Sequence, residues 1–229
     1  MFFIALSTKT QLRVAILVDG GFFIKRYRKL YGGWDHTPQQ VAHELITMCK
    51  NHVGQDYLYR IFYYDCHPLL KKAHNPVNNK SVDFSQSEQA KFRIEFFEEL
   101  KKKRKVALRL GYLKSTNNWV ISPQKTKDLL KGSIAVSELT PEDVSYEIQQ
   151  KSVDMKIGLD IASLAYKTLA DKIILISGDG DFVPAAKLAR REGIDFVLDP
   201  MWNPIPKSLF EHIDGLKSTS PNPNKNNSK

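Results

Sequence analysis

The feature that most constrains this chain is a run near its start, Arg13-Val14-Ala15-Ile16-Leu17-Val18-Asp19. Its apolar residues are consecutive, with no polar alternation. Such a run suits a strand covered on both faces, the situation of a parallel sheet sandwiched between helices. It ends in an acid followed by Gly20-Gly21, where the chain must turn. A helix is expected from about Phe22 to Leu30, stopped by Gly32-Gly33. Pro38 opens a second, with Val41, Leu45, Ile46 and Met48 at helical spacing. Tyr57 to Tyr64 is aromatic and β-branched and reads as the next strand.

The pattern repeats further on. Ser87 to Lys103 reads as a helix and Val106 to Leu113 as a third strand. Asn117-Asn118 suggests a turn before a short edge strand at Trp119–Ile121, and a short helix is expected from Thr140. Val153 to Leu169 is a helix, Lys172 to Ser177 a strand, Phe182 to Glu192 a helix, and Ile194 to Leu198 a strand after the stop at Gly193. Strands alternating with helices at this spacing predict an α/β fold in three layers, α/β/α and Rossmann-like, with a mainly parallel central sheet. The domain is expected over 13–213, behind an extension at 1–12. Polar inserts lie near 66–86, a loop or mobile segment, and near 114–150. Residues 214–229, rich in Lys, Ser, Asn and Pro, read as a disordered basic tail.

Composition narrows the partners. Lys plus Arg number 34 against 25 Asp plus Glu, a net charge of +9, which favours polyanions by counterion release. The densest basic run, Lys101-Lys102-Lys103-Arg104-Lys105, follows a helix. It reads equally as a phosphate-contacting patch or as a solvated helix end answering the dipole. The two cysteines, Cys49 and Cys66, form no CxxC and no disulfide framework. No apolar run reaches the ~18 residues that a membrane span needs, so a cytoplasmic location is expected.

In an open parallel sheet, ligands sit beyond the carboxyl ends of the strands. Asp19 ends the first strand, and Gly178-Asp179-Gly180-Asp181 follows the strand at 172–177. A helix leading into a strand runs against it, so the start of the helix at 153 brings Asp154 to the same edge. Four carboxylates converging there would repel one another unless a cation neutralised them. Oxygen-only donors select a hard ion, Mg²⁺ or Mn²⁺, over zinc, and no zinc-type spacing of histidines or cysteines competes. Structural roles stand beside this one: Asp181 as a cap of the helix at Phe182, Asp154 as a first-turn acid, Asp19 as a turn former. Asp160 lies about 120° around the helix from Asp154 and is assigned a supporting place, whereas Gly158 shares Asp154's face and leaves room beside it. Ser177 and Gly20 are likewise expected to support the acids.

Val18-Asp19-Gly20-Gly21-Phe22, Lys151-Ser152-Val153-Asp154-Met155 with Asp160 beyond, and Ile176-Ser177-Gly178-Asp179-Gly180-Asp181-Phe182-Val183-Pro184 resemble the three signature segments of NYN domains, the LabA-like branch of the PIN-like nucleases. The resemblance extends over roughly 13–213. It implies a PIN-like fold and a metal-dependent phosphodiesterase acting on RNA, with acidic positions at Asp19, Asp154, Asp179 and Asp181. Many members of the family carry Asn where this chain has Gly20 or Gly21.

The expected activity is therefore hydrolysis of RNA phosphodiesters, endonucleolytic in the first instance, by a carboxylate-bound Mg²⁺ or Mn²⁺ centre. Lys151 and the basic run from Lys101 to Lys105 would contact nucleic acid. Trp34, Tyr112 and Trp119 are candidates either for stacking on bases or for packing in the core. Two alternatives stand beside it: an RNA-binding or scaffolding module that does not turn over, and a haloacid-dehalogenase-type phosphatase. The phosphatase would need a second acid at position 21, which is Gly. A homo-oligomer is compatible with all three.

Overall fold

A computed structural model describes residues 11–33 and 35–223. Strands β1 (Arg13–Asp19), β2 (Tyr57–Cys66), β5 (Val106–Ile121), β6 (Val144–Lys151), β7 (Lys172–Ile176), β8 (Asp195–Asp199) and β9 (Gly215–Leu216) form one sheet in the order β6-β5-β2-β1-β7-β8-β9. Every pairing is parallel except β5 with β6. A separate hairpin joins β3 (Lys72–His74) to β4 (Ser81–Asp83).

The helices are α1 (Gly20–Tyr31), α2 (Pro38–Val53), α3 (Glu88–Lys101), α4 (Pro123–Leu130), α5 (Val153–Tyr166), α6 (Val183–Arg191) and α7 (Lys207–Phe210). The two faces of the sheet carry separate cores, and β1 feeds both. Val14, Ile16 and Val18 pack with Phe23, Tyr27, Leu45, Phe96 and Leu100 from α1, α2 and α3. Ala15 and Leu17 pack with Ile157, Ile161, Leu164, Ala186 and Ala189 from α5 and α6. This division explains the run of apolar residues, since a strand buried on both sides has no face to leave polar. The three-layer α/β/α architecture is as the sequence predicts. The chain winds outward from β1 to β2 and β5, then returns to place β7 on the other side of β1. The strand order therefore reverses between β1 and β7, the position where open α/β sheets bind ligands.

The inserts are more structured than expected. Residues 66–86 carry the β3–β4 hairpin rather than a loop alone. β5 does not stop at Leu113 but runs on to Ile121, with a register break between Ser115 and Trp119 where Asn117 takes φ +64°. The expected helix at Thr140 is only a 3-10 turn over Pro141–Asp143, and β6 follows it directly. A tail disordered from 214 is also corrected. Gly215 and Leu216 pair with Val197 and Leu198, the Thr219 hydroxyl donates to Met48 O at 3.1 Å, and Trp202 Nε1 donates to Ser220 O at 3.0 Å. Backbone and side-chain groups in 215–220 thus find partners on the domain itself. The remainder of that segment, 224–229, and residues 1–10 of the extension lie outside the described residues, as does Trp34.

Candidate active site at the carboxyl edge of the sheet

Asp19 closes β1 and caps α1. Its Oδ1 accepts the Phe22 N–H at 3.0 Å, and its Oδ2 accepts the Ser177 hydroxyl at 3.3 Å. The chain turns here only because Gly20 has no side chain. A Cβ at that position would stand 2.5 Å from the Tyr64 carbonyl oxygen and 2.7 Å from the Tyr63 ring. Across the switch point, Ser177 ends the strand run, and its Oγ accepts the Asp179 N–H at 3.4 Å. Asp179 caps the 3-10 turn Gly180–Phe182, accepting the Asp181 N–H at 3.0 Å. The helix α6 itself begins at Val183 without a side-chain cap, so Asp181 does not cap it as expected and is left exposed at its entry. Asp154 sits in the first turn of α5, behind Ser152, whose left-handed φ of +71° turns the edge strand β6 into the helix.

These acids sense one another. Burial raises the Asp19 carboxyl above the ordinary carboxylate range, and the charges of Asp154 and Asp65 push the same way. Asp154 is raised by burial and then by Asp179 and Asp181. Like charges across a shared crevice disfavour ionisation, and among the described residues no hydrogen bond to Asp154 offsets this.

Asp65, which the sequence reading passed over, belongs to this edge. It follows Tyr64 in β2 with a side chain only 1% exposed, and Arg93 Nη1 donates to its Oδ1 at 2.8 Å. The Cys66 N–H donates to the same oxygen at 2.7 Å, while Oδ2 is buried without a hydrogen-bond partner. Burial raises this carboxyl too, against the Arg93 charge. Gln150 Nε2 lies 3.5 Å from Asp65 Oδ1, and its amide stands within 4 Å of the Cβ position of Gly21, as does Asp19 Oδ1. The signal was available: Asp65 lies at the carboxyl end of β2, one residue before its last, much as Asp19 ends β1. That rule also selects Asp199 at the end of β8, which is not part of the crevice. It pairs with buried His52 at 2.7 Å and accepts the Met201 N–H.

The other expected residues are distributed differently. Asp160 accepts the Tyr64 hydroxyl at 2.8 Å and Arg109 Nε at 3.1 Å, a separate cluster on another side of α5. Lys151 is exposed at the end of β6, one residue before the turn into α5. Lys101 to Lys105 lie at the opposite edge, since α3 delivers the chain to the amino end of β5. Lys101 pairs with Glu98, Lys102 with Glu99, and Lys105 sits 3.8 Å over the Tyr57 ring. Trp119 packs against Phe84 and Tyr146, whereas Tyr112 is exposed.

The donor chemistry fits a hard divalent cation: all oxygens, with Asp19 and Asp154 raised first by burial and then by neighbouring acids, and with the buried Asp65 Oδ2 unpartnered among the described residues. Among the described residues, no three His, Cys, Asp or Glu side chains already stand close enough to hold one ion. Beside Asp154 and Asp181 an open groove of ≈ 370 Å³ runs between α5 and α6.

The family model described as NYN domain matches residues 77–209, more than half of the chain, and includes Asp154, Asp179 and Asp181. No curated protein matches. Among solved structures, a protein of unknown function from Vibrio parahaemolyticus RIMD 2210633 aligns over 94% of this chain and 97% of its own, at 16% identity and a TM-score of 0.47.

Proposed function

The chain belongs to the NYN domain family, part of the PIN-like nuclease superfamily, and from that premise we propose that it hydrolyses RNA phosphodiester bonds with a Mg²⁺- or Mn²⁺-loaded carboxylate centre. What supports this reading is the placement of Asp19, Asp154, Asp179 and Asp181 at the carboxyl edge around the β1–β7 switch point, with Asp19 raised by burial and Asp154, and Asp154 raised by burial, Asp179 and Asp181. Asp154 supports it most directly: it makes no cap, and burial, Asp179 and Asp181 all work against its ionisation, so its place at this edge is not explained by stability.

Asp19 and Asp179 are oriented by the backbone of the turns they cap, so their free lone pairs point where the fold directs them. Asp154 and Asp181 are exposed and complete the set from the helix side. Asp65 and Gln150 stand behind Asp19, and the Asp65 Oδ2 has no hydrogen-bond partner among the described residues. A divalent ion held by these acids would activate water and stabilise charge on the attacking and leaving oxygens. Lys151, exposed beside the crevice, is placed to meet a flanking phosphate. The run from Lys101 to Lys105 acts by long-range attraction rather than contact. No helix of the described residues is long and apolar enough to cross a membrane.

The test is thermal stability with EDTA, Mg²⁺ and Mn²⁺ for the wild type and Asp179→Asn, followed by cleavage of single-stranded and structured RNA. A ligand at a hundredfold excess over Kd stabilises by about 2.7 kcal/mol. A metal-dependent rise that the variant loses, together with RNA products, is the expected result. RNA binding without product at saturating Mn²⁺ would replace the enzyme with a binding module. Turnover of an aryl phosphate monoester would point to a phosphatase instead.

A further inference from the structure

We infer that the groove between α5 and α6 is a nucleobase subsite, holding the base next to the phosphodiester that the acids engage. The inference rests on the nuclease reading for the identity of its occupant. Both helices start at the carboxyl edge and run the same way, so Asp154 and Asp181 stand together at the head of the groove. Gly158 and Leu159 on α5, and Leu188 on α6, line it deeper in. Gly158 lies about 6 Å below Asp154 at the helical rise. The groove's walls are apolar and open: Met155 is 68% exposed and Leu159 61%. An uncovered apolar surface continuous with a polar catalytic crevice is suited to the flat face of a base, which stacks without regard to sequence.

Gly158 supplies an independent argument. Glycine is unfavourable inside a helix, and at most other positions in this chain it has a visible reason. Gly20, Gly111 and Gly178 would bring a Cβ within 2.8 Å of a neighbour, and Gly32, Gly33, Gly54, Gly132 and Gly193 have positive φ. Gly158 alone combines ordinary helical backbone with empty space, nothing lying within 4 Å of its Cβ position. The fold does not require the missing side chain there. An occupant of the groove does, because a side chain there would project into the space it takes. The acids at the head of the groove are those assigned to the phosphodiester, so the occupant is attached to that phosphodiester. A base must be unstacked to enter, which makes the substrate single-stranded at this point.

The test is binding, measured by fluorescence anisotropy with Ca²⁺ as the divalent ion. It compares a short labelled RNA strand with a base-free ribose-phosphate chain of the same length. The wild type is expected to bind the RNA about tenfold more tightly, the weight of one stacked base. Gly158→Leu should reduce that preference to within about twofold, and Gly158→Ala should fall between. Equal affinity of the wild type for the two chains, an undiminished preference in Gly158→Leu, or no binding of either chain would overturn the subsite. The wild-type comparison stands even where the leucine variant does not fold. A separate Mn²⁺ cleavage assay on the same RNA tells the two readings apart. Cleavage without base preference removes the subsite and keeps the nuclease, and base preference without cleavage does the reverse. Sedimentation showing a wild-type dimer that Gly158→Leu dissociates, with equal affinity for both chains, would assign the groove to a second copy instead.

Discussion

The hydroxyl of Ser177 donates to Asp19 Oδ2 at 3.3 Å, joining the ends of two neighbouring parallel strands that are 158 residues apart in the chain. The other oxygen of Asp19 is occupied by the α1 backbone at Phe22. Both contacts orient the carboxylate, and neither neutralises it.

Asp19→Asn should therefore keep the fold and lose the chemistry. The amide oxygen still accepts the Phe22 N–H, so the cap survives, but a charged donor is removed. Cleavage of RNA in Mn²⁺ is expected to fall about a hundredfold or more. Circular dichroism should be unchanged. Full activity in this variant would sink the assignment.

Asp154→Asn has a pH-dependent signature. Burial, and then Asp179 and Asp181, raise the Asp154 carboxyl. A carboxyl raised in the folded state holds its proton more tightly there than in the unfolded chain. Its ionisation thus lowers stability as pH climbs from the ordinary value, about 3.9, through the raised one. Without metal at pH 7 the variant should melt above the wild type, the difference closing as pH falls toward 4. Mn²⁺ should reverse the order at pH 7. Melting curves across pH decide it, and a variant that melts below the wild type at pH 7 in EDTA contradicts the repulsion.

Two glycines should respond oppositely to alanine. At Gly20 the new Cβ meets the Tyr64 carbonyl at 2.5 Å, and the forced shift is expected to cost about 1–3 kcal/mol. At Gly158 the Cβ meets nothing, and the gain in helix propensity should stabilise by about 0.5–1 kcal/mol. Urea unfolding of both variants measures the contrast.

Arg93→Met should be more damaging than Asp65→Asn. Removing the cation leaves a carboxylate 1% exposed beside Asp19 with no counter-charge, a loss of about 3–5 kcal/mol for a buried pair. Removing the carboxylate leaves an arginine that is 25% exposed and can hydrate. The same urea measurements at pH 7 rank them, and equal losses would show that the pair matters only as packing.

Much of this was legible before any coordinates, and the reasons are physical. β1 and β7 are buried on both faces, so their sequences are unbroken apolar runs, and the acids after them mark the ligand edge. β6 is different: it is an antiparallel edge strand with five of its eight residues exposed, and Val144–Lys151 has no strong period. α4 is largely polar and solvent-facing, held by the Ser122 cap and Pro123 rather than by burial. β9 is two residues long and exists only because β8 offers it an edge. Asp65 follows the aromatic run Tyr57–Tyr64 as Asp19 follows its apolar run, but without the glycines that marked Asp19 as a ligand edge. The basic run was visible as charge, but its distance from the acids follows from topology: a helix entering a parallel strand ends at the strand's amino edge.

The central position of β1 has a consequence in time. Its first partner, β2, is made soon after it, whereas β7 follows more than 150 residues later, with Ser177 the 158th residue after Asp19. At about 5–20 residues per second, a growing chain carries one unpaired edge of β1 for roughly 8–30 s. During that interval Asp19 has been synthesised, but Asp154, Asp179 and Asp181 have not all joined it. The crevice is thus among the last features to exist, and a nascent chain is without its acidic centre until the sheet closes.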